Sequence, residues 1–173
     1  LYVAVGEGSL HSINISLDGK KWQGYGKNIF SIRGYFVRYD AGIWIICGEG
    51  TNSLAYSFDG LSWKICENSA GGLASTIFDS WARNVATNGI IWIATGSGSS
   101  HTLAYSEDGI TWTGLGKTLF TTAGYAVESN GEVFLAGGEG TNQLLRSENG
   151  INWTPVSVGT VSYTHLTLPT IAI

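Results

Sequence analysis

The chain contains no methionine, only two prolines and two cysteines, and charged residues fill just 13% of its 173 positions. Each scarcity removes a class of protein. Cys47 and Cys66 cannot staple a disulfide scaffold, and they fit no metal-ligand spacing. No apolar run approaches the roughly 20 residues that a membrane helix needs. Nine Lys and Arg against thirteen Asp and Glu give a net charge of −4, which argues against nucleic acid or an anionic membrane as a partner. No phosphate-cradling glycine loop precedes a helix, and no nucleophile elbow or zinc-protease motif is present. No cofactor, metal or catalytic residue is therefore expected. With no Met and an opening in mid-pattern at Leu1, the chain reads as an internal piece of a longer repeat protein. Localisation and redox compartment stay open.

Glycine and aromatics are plentiful instead: 25 Gly, 7 Trp and 8 Tyr, in a chain that is 43% hydrophobic. That composition suits short strands joined by tight turns. It is organised around one phrase written four times. The copies are Ser16-Leu17-Asp18-Gly19-Lys20-Lys21-Trp22, Ser57-Phe58-Asp59-Gly60-Leu61-Ser62-Trp63, Ser106-Glu107-Asp108-Gly109-Ile110-Thr111-Trp112 and Ser147-Glu148-Asn149-Gly150-Ile151-Asn152-Trp153. The Trp positions are spaced 41, 49 and 41 residues apart. A period of that length means one supersecondary unit stacked on copies of itself.

Aligning the copies predicts four short strands per unit. First strands are expected at Gly34–Tyr39, Trp81–Ala86 and Gly124–Glu128, with second strands at Tyr2–Val5, Trp44–Cys47, Trp92–Thr95 and Phe134–Gly137. Third strands fall at Ser53–Ser57, Thr102–Ser106 and Gln143–Ser147, and the fourth carries the Trp. Asp40-Ala41-Gly42, Asn88-Gly89 and Asn130-Gly131 separate first from second strands and predict type I′ hairpins, as does the Asp-Gly or Asn-Gly of the repeated phrase. Cys47 and Cys66 then lie two strands apart, roughly 9.5 Å, beyond disulfide reach. The longer middle interval places about seven extra residues in a loop from Glu67 to Ser75, and one more near Ser99. Four antiparallel strands at this period are the arithmetic of a β-propeller blade. The expectation is an all-β propeller fragment of about four blades over residues 1–159, the first blade lacking its innermost strand. The remaining blades of the same propeller would be its partners.

Residues 160–173 break the repeat. The codons GTC-TCT-TAT-ACA-CAT-CTG-ACG-CTG-CCG-ACG, a transposon-type sequencing adapter, encode Val161 through Thr170 in order. This segment is read as adapter translation in a fragment of environmental DNA, and His165 and Tyr163 are given no role.

The repeated phrase resembles the Asp-box, or BNR, repeat of sialidases and sortilin-like receptors, whose pattern is Ser-x-Asp-x-Gly-x-x-Trp. All four copies here are one residue shorter. With the flanking Leu-Ala-Tyr-Ser and Gly-Glu-Gly-Thr-Asn segments, the chain is most similar to repeat-rich proteins of large DNA viruses and marine microbes. The resemblance covers residues 1 to about 158. The phrase itself reads as a structural staple: Ser and Asp bond the turn backbone, Gly takes positive φ, and Trp covers the hairpin. Each buried Trp removes about 150–250 Å² from water. Asn149 keeps the turn chemistry without the carboxylate, which opposes an acid or ligand role for Asp18, Asp59 and Asp108.

In the family, such hairpins lie opposite the ligand face. The resemblance thus implies a ligand face made of Gly6-Glu7-Gly8, Gly48–Asn52, Gly96-Ser97-Gly98 and Gly138–Asn142, with the inter-blade segments Gly24–Phe30 plus Arg33, the loop from Glu67, and Gly114–Phe120. Glu7, Glu49, Asn52, Glu139, Asn142 and Arg33 are the ligand-face candidates. A ring of Glu7, Glu49 and Glu139 could hold a cation or sugar hydroxyls, although repetition alone would reproduce Glu facing water. Sialidases also need three arginines on the substrate carboxylate, a Tyr–Glu nucleophile pair and an Asp acid. The four arginines, Arg33, Arg38, Arg83 and Arg146, do not recur at matching sites, so no residue carries over as catalytic. His11 and His101 read as polar surface residues. The function expected is a non-catalytic propeller binding or scaffold module for a glycan or protein ligand. The alternative is a fragment of a sialidase-like exo-glycosidase whose catalytic residues lie elsewhere.

Overall fold

The computed structural model describes residues 1–157. The expected break at residue 160 therefore lies outside the described residues. The chain is all-β, with a single 3-10 turn at Ala74–Thr76 and no α-helix among the described residues. Strands β1 (Tyr2–Val5), β2 (Ile13–Ser16) and β3 (Gln23–Gly24) form a three-stranded antiparallel unit, A. Unit B is β4 (Arg33–Asp40), β5 (Ile43–Glu49), β6 (Leu54–Ser57) and β7 (Lys64–Ile65). After β8 (Glu67–Asn68), unit C follows as β9 (Trp81–Thr87), β10 (Trp92–Ser97), β11 (Leu103–Ser106) and β12 (Thr111–Gly114). Unit D is β13 (Ala123–Ser129), β14 (Phe134–Glu139), β15 (Leu144–Ser147) and β16 (Thr154–Pro155).

Every pairing inside a unit is antiparallel between consecutive strands. The second strand is the core of each complete unit: β5 and β10 are buried almost throughout, on both faces. A strand covered on both sides carries a continuous apolar run instead of alternation, which is what Ile43-Trp44-Ile45-Ile46-Cys47 supplies. The units then stack. Ile13, Ile15 and Phe30 pack with Ile46, Ala55 and Trp63 between A and B. Ile43, Ile45 and Leu54 pack with Trp92, Ala104 and Trp112 between B and C. Ile91, Ile93 and Leu103 pack with Phe134, Leu145 and Trp153 between C and D. Trp63, Trp112 and Trp153 thus each seal their own unit against the one before it.

Trp22 breaks the expected pattern. It is 46% exposed, against 7% for Trp63, 0% for Trp112 and 9% for Trp153. Its turn is built like the others, but no unit precedes it among the described residues. Burial of this Trp comes from the neighbouring unit, not from its own hairpin. The fourth strand also begins later than expected, since Trp22, Trp63 and Trp153 stand just before β3, β7 and β16.

The hairpin turns differ from the sequence reading in a second way. Only Ala41–Gly42 has positive φ at both central residues, 50° and 80°. At Asn88-Gly89 and Asn130-Gly131 only the Gly is left-handed. The Asn side chains instead accept from backbone N–H groups two and three residues on, of Ile90 and Ile91 and of Glu132 and Val133. The Asn carboxamide closes a longer loop, so a second strained residue is unnecessary.

The repeated phrase uses the same device. Asp59 Oδ1 accepts from the N–H groups of Leu61 and Ser62 at 2.8 and 2.7 Å, and Ser57 Oγ accepts from Gly60 at 2.8 Å. Asn149 makes the matching bonds to Ile151 and Asn152 at 3.0 and 2.8 Å. The N–H groups of Lys21 and Lys20 lower the Asp18 carboxyl pKa, and those of Ser62 and Leu61 lower that of Asp59. At Asp108 burial pulls upward, but bonds from Thr111 and Ile110 outweigh it. A carboxyl depressed in the folded state stabilises fully above its unfolded pKa, about 3.9, and loses that contribution as pH falls through the folded value. Below about pH 4 the melting temperature of the chain should therefore drop more steeply than that of an Asp18→Asn/Asp59→Asn/Asp108→Asn variant. Thermal melts across the acid range check this, and parallel curves would exclude the turn carboxylates as the acid-sensitive groups.

The insertion between B and C is more than a loop. β8 pairs in parallel with β12, Glu67 opposite Thr111 and Asn68 opposite Trp112, while Ala74, Ile77 and Phe78 enter the B–C core. β5 also meets β9 at Glu49–Trp81. The strand path therefore nearly closes on itself, because its end strands β7 and β8 are separated only by Cys66. Cys47 and Cys66 are both buried free thiols, and burial pushes both pKa values up.

Candidate functional site

Glycine positions the site by letting aromatic rings touch backbone. A Cβ on Gly48, Gly96 or Gly138 would strike the ring of Phe30, Phe78 or Phe120, respectively, and the carbonyl oxygen of Arg33, Trp81 or Ala123. All three Phe rings are buried. This contact binds the segment entering each first strand to the end of the second strand. Further latches repeat around it. Ser31, Asp79 and Thr121 accept from the N–H groups of Thr51, Ser99 and Thr141 through their side-chain oxygens.

Beside these locks each first strand carries a β-bulge. Pairing skips Tyr35 between Gly34 and Phe36, Arg83 between Ala82 and Asn84, and Tyr125 between Gly124 and Ala126. The equivalent residues are therefore Gly34, Ala82 and Gly124, which corrects the alignment of Gly34 with Trp81. A bulged residue leaves the ladder and is re-aimed, a device common beside functional sites. Here three bulges from three units converge. Trp81 stacks on Tyr125 with centroids 5.7 Å apart and planes at 16°, and meets the edge of Tyr35 at 6.3 Å. The Arg83 guanidinium lies over the Tyr35 ring at 4.4 Å.

Carboxylates border this aromatic row. Tyr35 donates to Glu49 and Tyr125 donates to Glu139 at 2.7 Å. Burial and then the Glu49 bond raise the Tyr35 pKa, and the Glu139 bond followed by burial raises that of Tyr125. Both phenols thus remain protonated donors. Arg33 reaches Glu7 at 3.2 Å and Glu49 at 3.4 Å, tying unit A to unit B. Arg38 and Glu128 pair farther along the same strands at 2.9 Å. Arg83 alone among the four arginines has no carboxylate within ion-pair distance among the described residues. The repeated turns lie at the other end of the sheets: Ser57 pairs with Trp44 at the far end of β5 from Glu49.

Of the sequence candidates, Glu7, Arg33, Glu49 and Glu139 lie at this cluster. Glu7 and Glu49 are engaged by Arg33, so the three glutamates do not form a free acidic ring. Asn52 and Asn142 do not join them. Their amides donate to the carbonyls of Ile29 and Leu119 at 3.0 and 2.7 Å, and Asn52 is buried. They pin the inter-unit segments. His11 and His101 are also latches, accepting from Gly26 and Gly116 through Nδ1, while Lys27 and Lys117 donate to the Gly8 and Gly98 carbonyls. The segment from Glu67 starts beside the repeated turn of unit C, and only its end, at Asp79, reaches the cluster's end of the sheets. No group of three or more His, Cys, Asp or Glu side chains among the described residues could hold a metal ion.

Tyr35, Trp81, Arg83 and Tyr125 escaped the sequence reading because Arg83 interrupts the Tyr35 and Tyr125 match, and Trp81 stands where the other copies have Arg33 and Ala123. The available signal was an aromatic directly after the strand-opening glycine in Gly34-Tyr35 and Gly124-Tyr125. Chemically, the cluster offers flat apolar faces, phenol–carboxylate pairs and one uncompensated guanidinium. Compared with family models, curated proteins and solved structures, the chain matches none, and no family is assigned to it.

Proposed function

We propose that the chain is part of a β-propeller of the Asp-box type and serves as a non-catalytic binding module that takes a glycan at the Tyr35–Trp81–Tyr125 cluster. The period of about 41 residues, the four-stranded antiparallel units and their serial stacking support the propeller reading. One observation carries the ligand reading. Tyr125, Tyr35 and Arg83, each at a bulge, gather around Trp81, which stacks on Tyr125 at the end of the sheets away from the repeated turns. Aromatic faces accept the apolar face of a pyranose, while carboxylates and guanidinium fix the orientation of its hydroxyls. The rings of Tyr35, Trp81 and Tyr125 are partly exposed.

Screening the chain against immobilised glycans, then titrating the best hit, tests the reading. Trp81→Ala should weaken binding at least about tenfold, the equivalent of losing roughly 1.4 kcal/mol, and leave the melting temperature nearly unchanged. A full-strength Trp81→Ala variant would move the site elsewhere. A second reading departs from the expected alternative, whose catalytic residues lie outside this segment, by placing a sialidase-like pair within it. It draws on the hydrogen bond from Tyr35 to Glu49 beside Arg33 and Arg83. Release of the aglycone from an aryl sialoside, abolished in Tyr35→Phe, would favour that reading over simple binding.

A further inference from the structure

Asn-Gly pairs stand in three turns: Asn88-Gly89 between β9 and β10, Asn130-Gly131 between β13 and β14, and Asn149-Gly150 in the repeated phrase of unit D. In such a pair the side-chain amide can be lost without an enzyme. The glycine nitrogen gives up its proton and attacks Asn Cγ. The new N–Cγ bond closes a succinimide ring as the Nδ2 group leaves as ammonia. Water then opens the imide. Cleavage at Cγ gives Asp, and cleavage at the former backbone carbonyl gives isoaspartate, with the chain rerouted through the side chain. Glycine favours the closure because no Cβ crowds the attacking nitrogen.

All three pairs are held in the same way. Each Asn Oδ1 accepts from two backbone N–H groups further along the turn. Each glycine N–H donates to a hydroxyl, of Thr87 at 3.0 Å, Ser129 at 3.1 Å and Ser147 at 2.8 Å. Attack requires that bond to open. The difference lies in what else covers the glycine. Gly150 is buried, and a Cβ there would come within 2.6 Å of Ile93 Cδ1 and 3.2 Å of Ile91 Cγ2, both from unit C. Gly89 and Gly131 are exposed, and no atom lies within 4 Å of a Cβ at either. Gly89 is open although unit D packs on unit C, so its openness belongs to the hairpin tip.

We propose that Asn88 and Asn130 are sites of spontaneous deamidation, and that stacking of unit D on unit C shields the same dipeptide at Asn149. Freeing Gly89 or Gly131 needs only a frayed hairpin tip, whereas freeing Gly150 needs the C–D interface to part, and local openings differ in free energy accordingly. Asp at position 88 or 130 keeps the acceptor for the turn N–H groups, as Asp59 and Asp108 do in theirs. Isoaspartate does not, because a methylene enters the backbone and the side-chain acceptor is lost. Each exposed hairpin thus ages into a mixture of an intact and a distorted turn. The distorted turn carries a free α-carboxylate, the group that an isoaspartate methyltransferase esterifies.

Ageing the full chain at mildly alkaline pH, below its melting temperature, and mapping the three peptides by mass spectrometry over time tests this. Asn88 and Asn130 should convert first. Asn149 should be at least about tenfold slower, the equivalent of about 1.4 kcal/mol in opening free energy. In guanidinium chloride the three should convert at similar rates. The two aged hairpins should take a labelled methyl group from S-adenosylmethionine and a purified isoaspartate methyltransferase. Thr87→Val, which lacks the hydroxyl that holds Gly89, should speed Asn88 alone. Ser129→Ala makes the same test at Asn130 if that variant fails to fold. A hairpin Asn that converts as slowly as Asn149 in the folded chain overturns the proposal. So does an unfolded chain that keeps the same order, which would assign the difference to neighbouring residues rather than to stacking.

Discussion

Replacing Trp112 with Ala is expected to cost about 3–5 kcal/mol, the range for removing a large aromatic from a packed core, whereas the same change at Trp22 should cost about 1 kcal/mol or less. The two residues occupy the same place in the same phrase, and both donate through Nε1 to the carbonyl of their turn glycine at 3.2 Å. Only their neighbours differ. Trp112 is fully buried among Ile43, Ile45, Trp92 and Phe78 at the B–C interface, and Trp22 is 46% exposed. For a chain of this size the Trp112 deficit corresponds to a drop in melting temperature of roughly 6–20 °C. Urea denaturation of both variants measures the contrast. Equal losses would mean that the Trp acts within its own hairpin, and that the stacking account of the fold is wrong. A biphasic Trp112→Ala transition would place the break between the A–B and C–D halves, as expected when stability is the sum of unit and interface terms.

The second large effect comes from adding a single methyl group. Gly96→Ala would drive a Cβ into the carbonyl oxygen of Trp81 and to 2.8 Å from the Phe78 ring. Neither can give way easily, since one is paired backbone and the other lies in the B–C core. Overpacking of this kind should destabilise by about 2–3 kcal/mol. Gly6→Ala is the control, because no atom lies within 4 Å of a Cβ there and the backbone φ is ordinary. It should fall within about 0.5 kcal/mol of the parent. If Gly96→Ala were equally silent, the ring-on-glycine contact would have no part in holding the first strand. The same change should also disturb the aromatic cluster, because Trp81 is the residue whose carbonyl is displaced.

The first glycine of three Gly-x-Gly segments, Gly48, Gly96 and Gly138, is thus explained by close approach rather than by a turn, and Gly6 is the exception. The sequence shows where these glycines recur, but not what lies above them. Phe30, Phe78 and Phe120 stand 18 residues upstream of Gly48, Gly96 and Gly138, and their contact depends on the path of the connecting segment. The insertion after Cys66 makes the same point. Its length was legible, but its pairing with β12 was not, since a two-residue strand has too little pattern to announce itself. The family resemblance puts Asn52 and Asn142 on a ligand face, since their loops lie opposite the repeated turns. Their amides turn inward to carbonyls 23 residues away.

What the sequence by itself determined was the repeat and the turn positions written into each copy, although not the type of those turns. The period and the all-β class are written in the repeat itself, the strand order follows from short antiparallel connections, and the Ser-x-Asp-Gly turn closes through bonds spanning two or three positions. Tertiary structure decided where the copies are used differently. Trp22 and Trp112 are the same residue in the same motif, and a neighbouring unit alone separates an exposed ring from a buried one. Tyr35, Arg83 and Tyr125 share a bulge position, but the middle copy replaces a phenol paired to Glu with a guanidinium. They become a site because three first strands converge and each bulge turns one side chain out of its ladder. Local hydrogen bonds are repeated with the motif, while packing between units depends on which copy stands next to which.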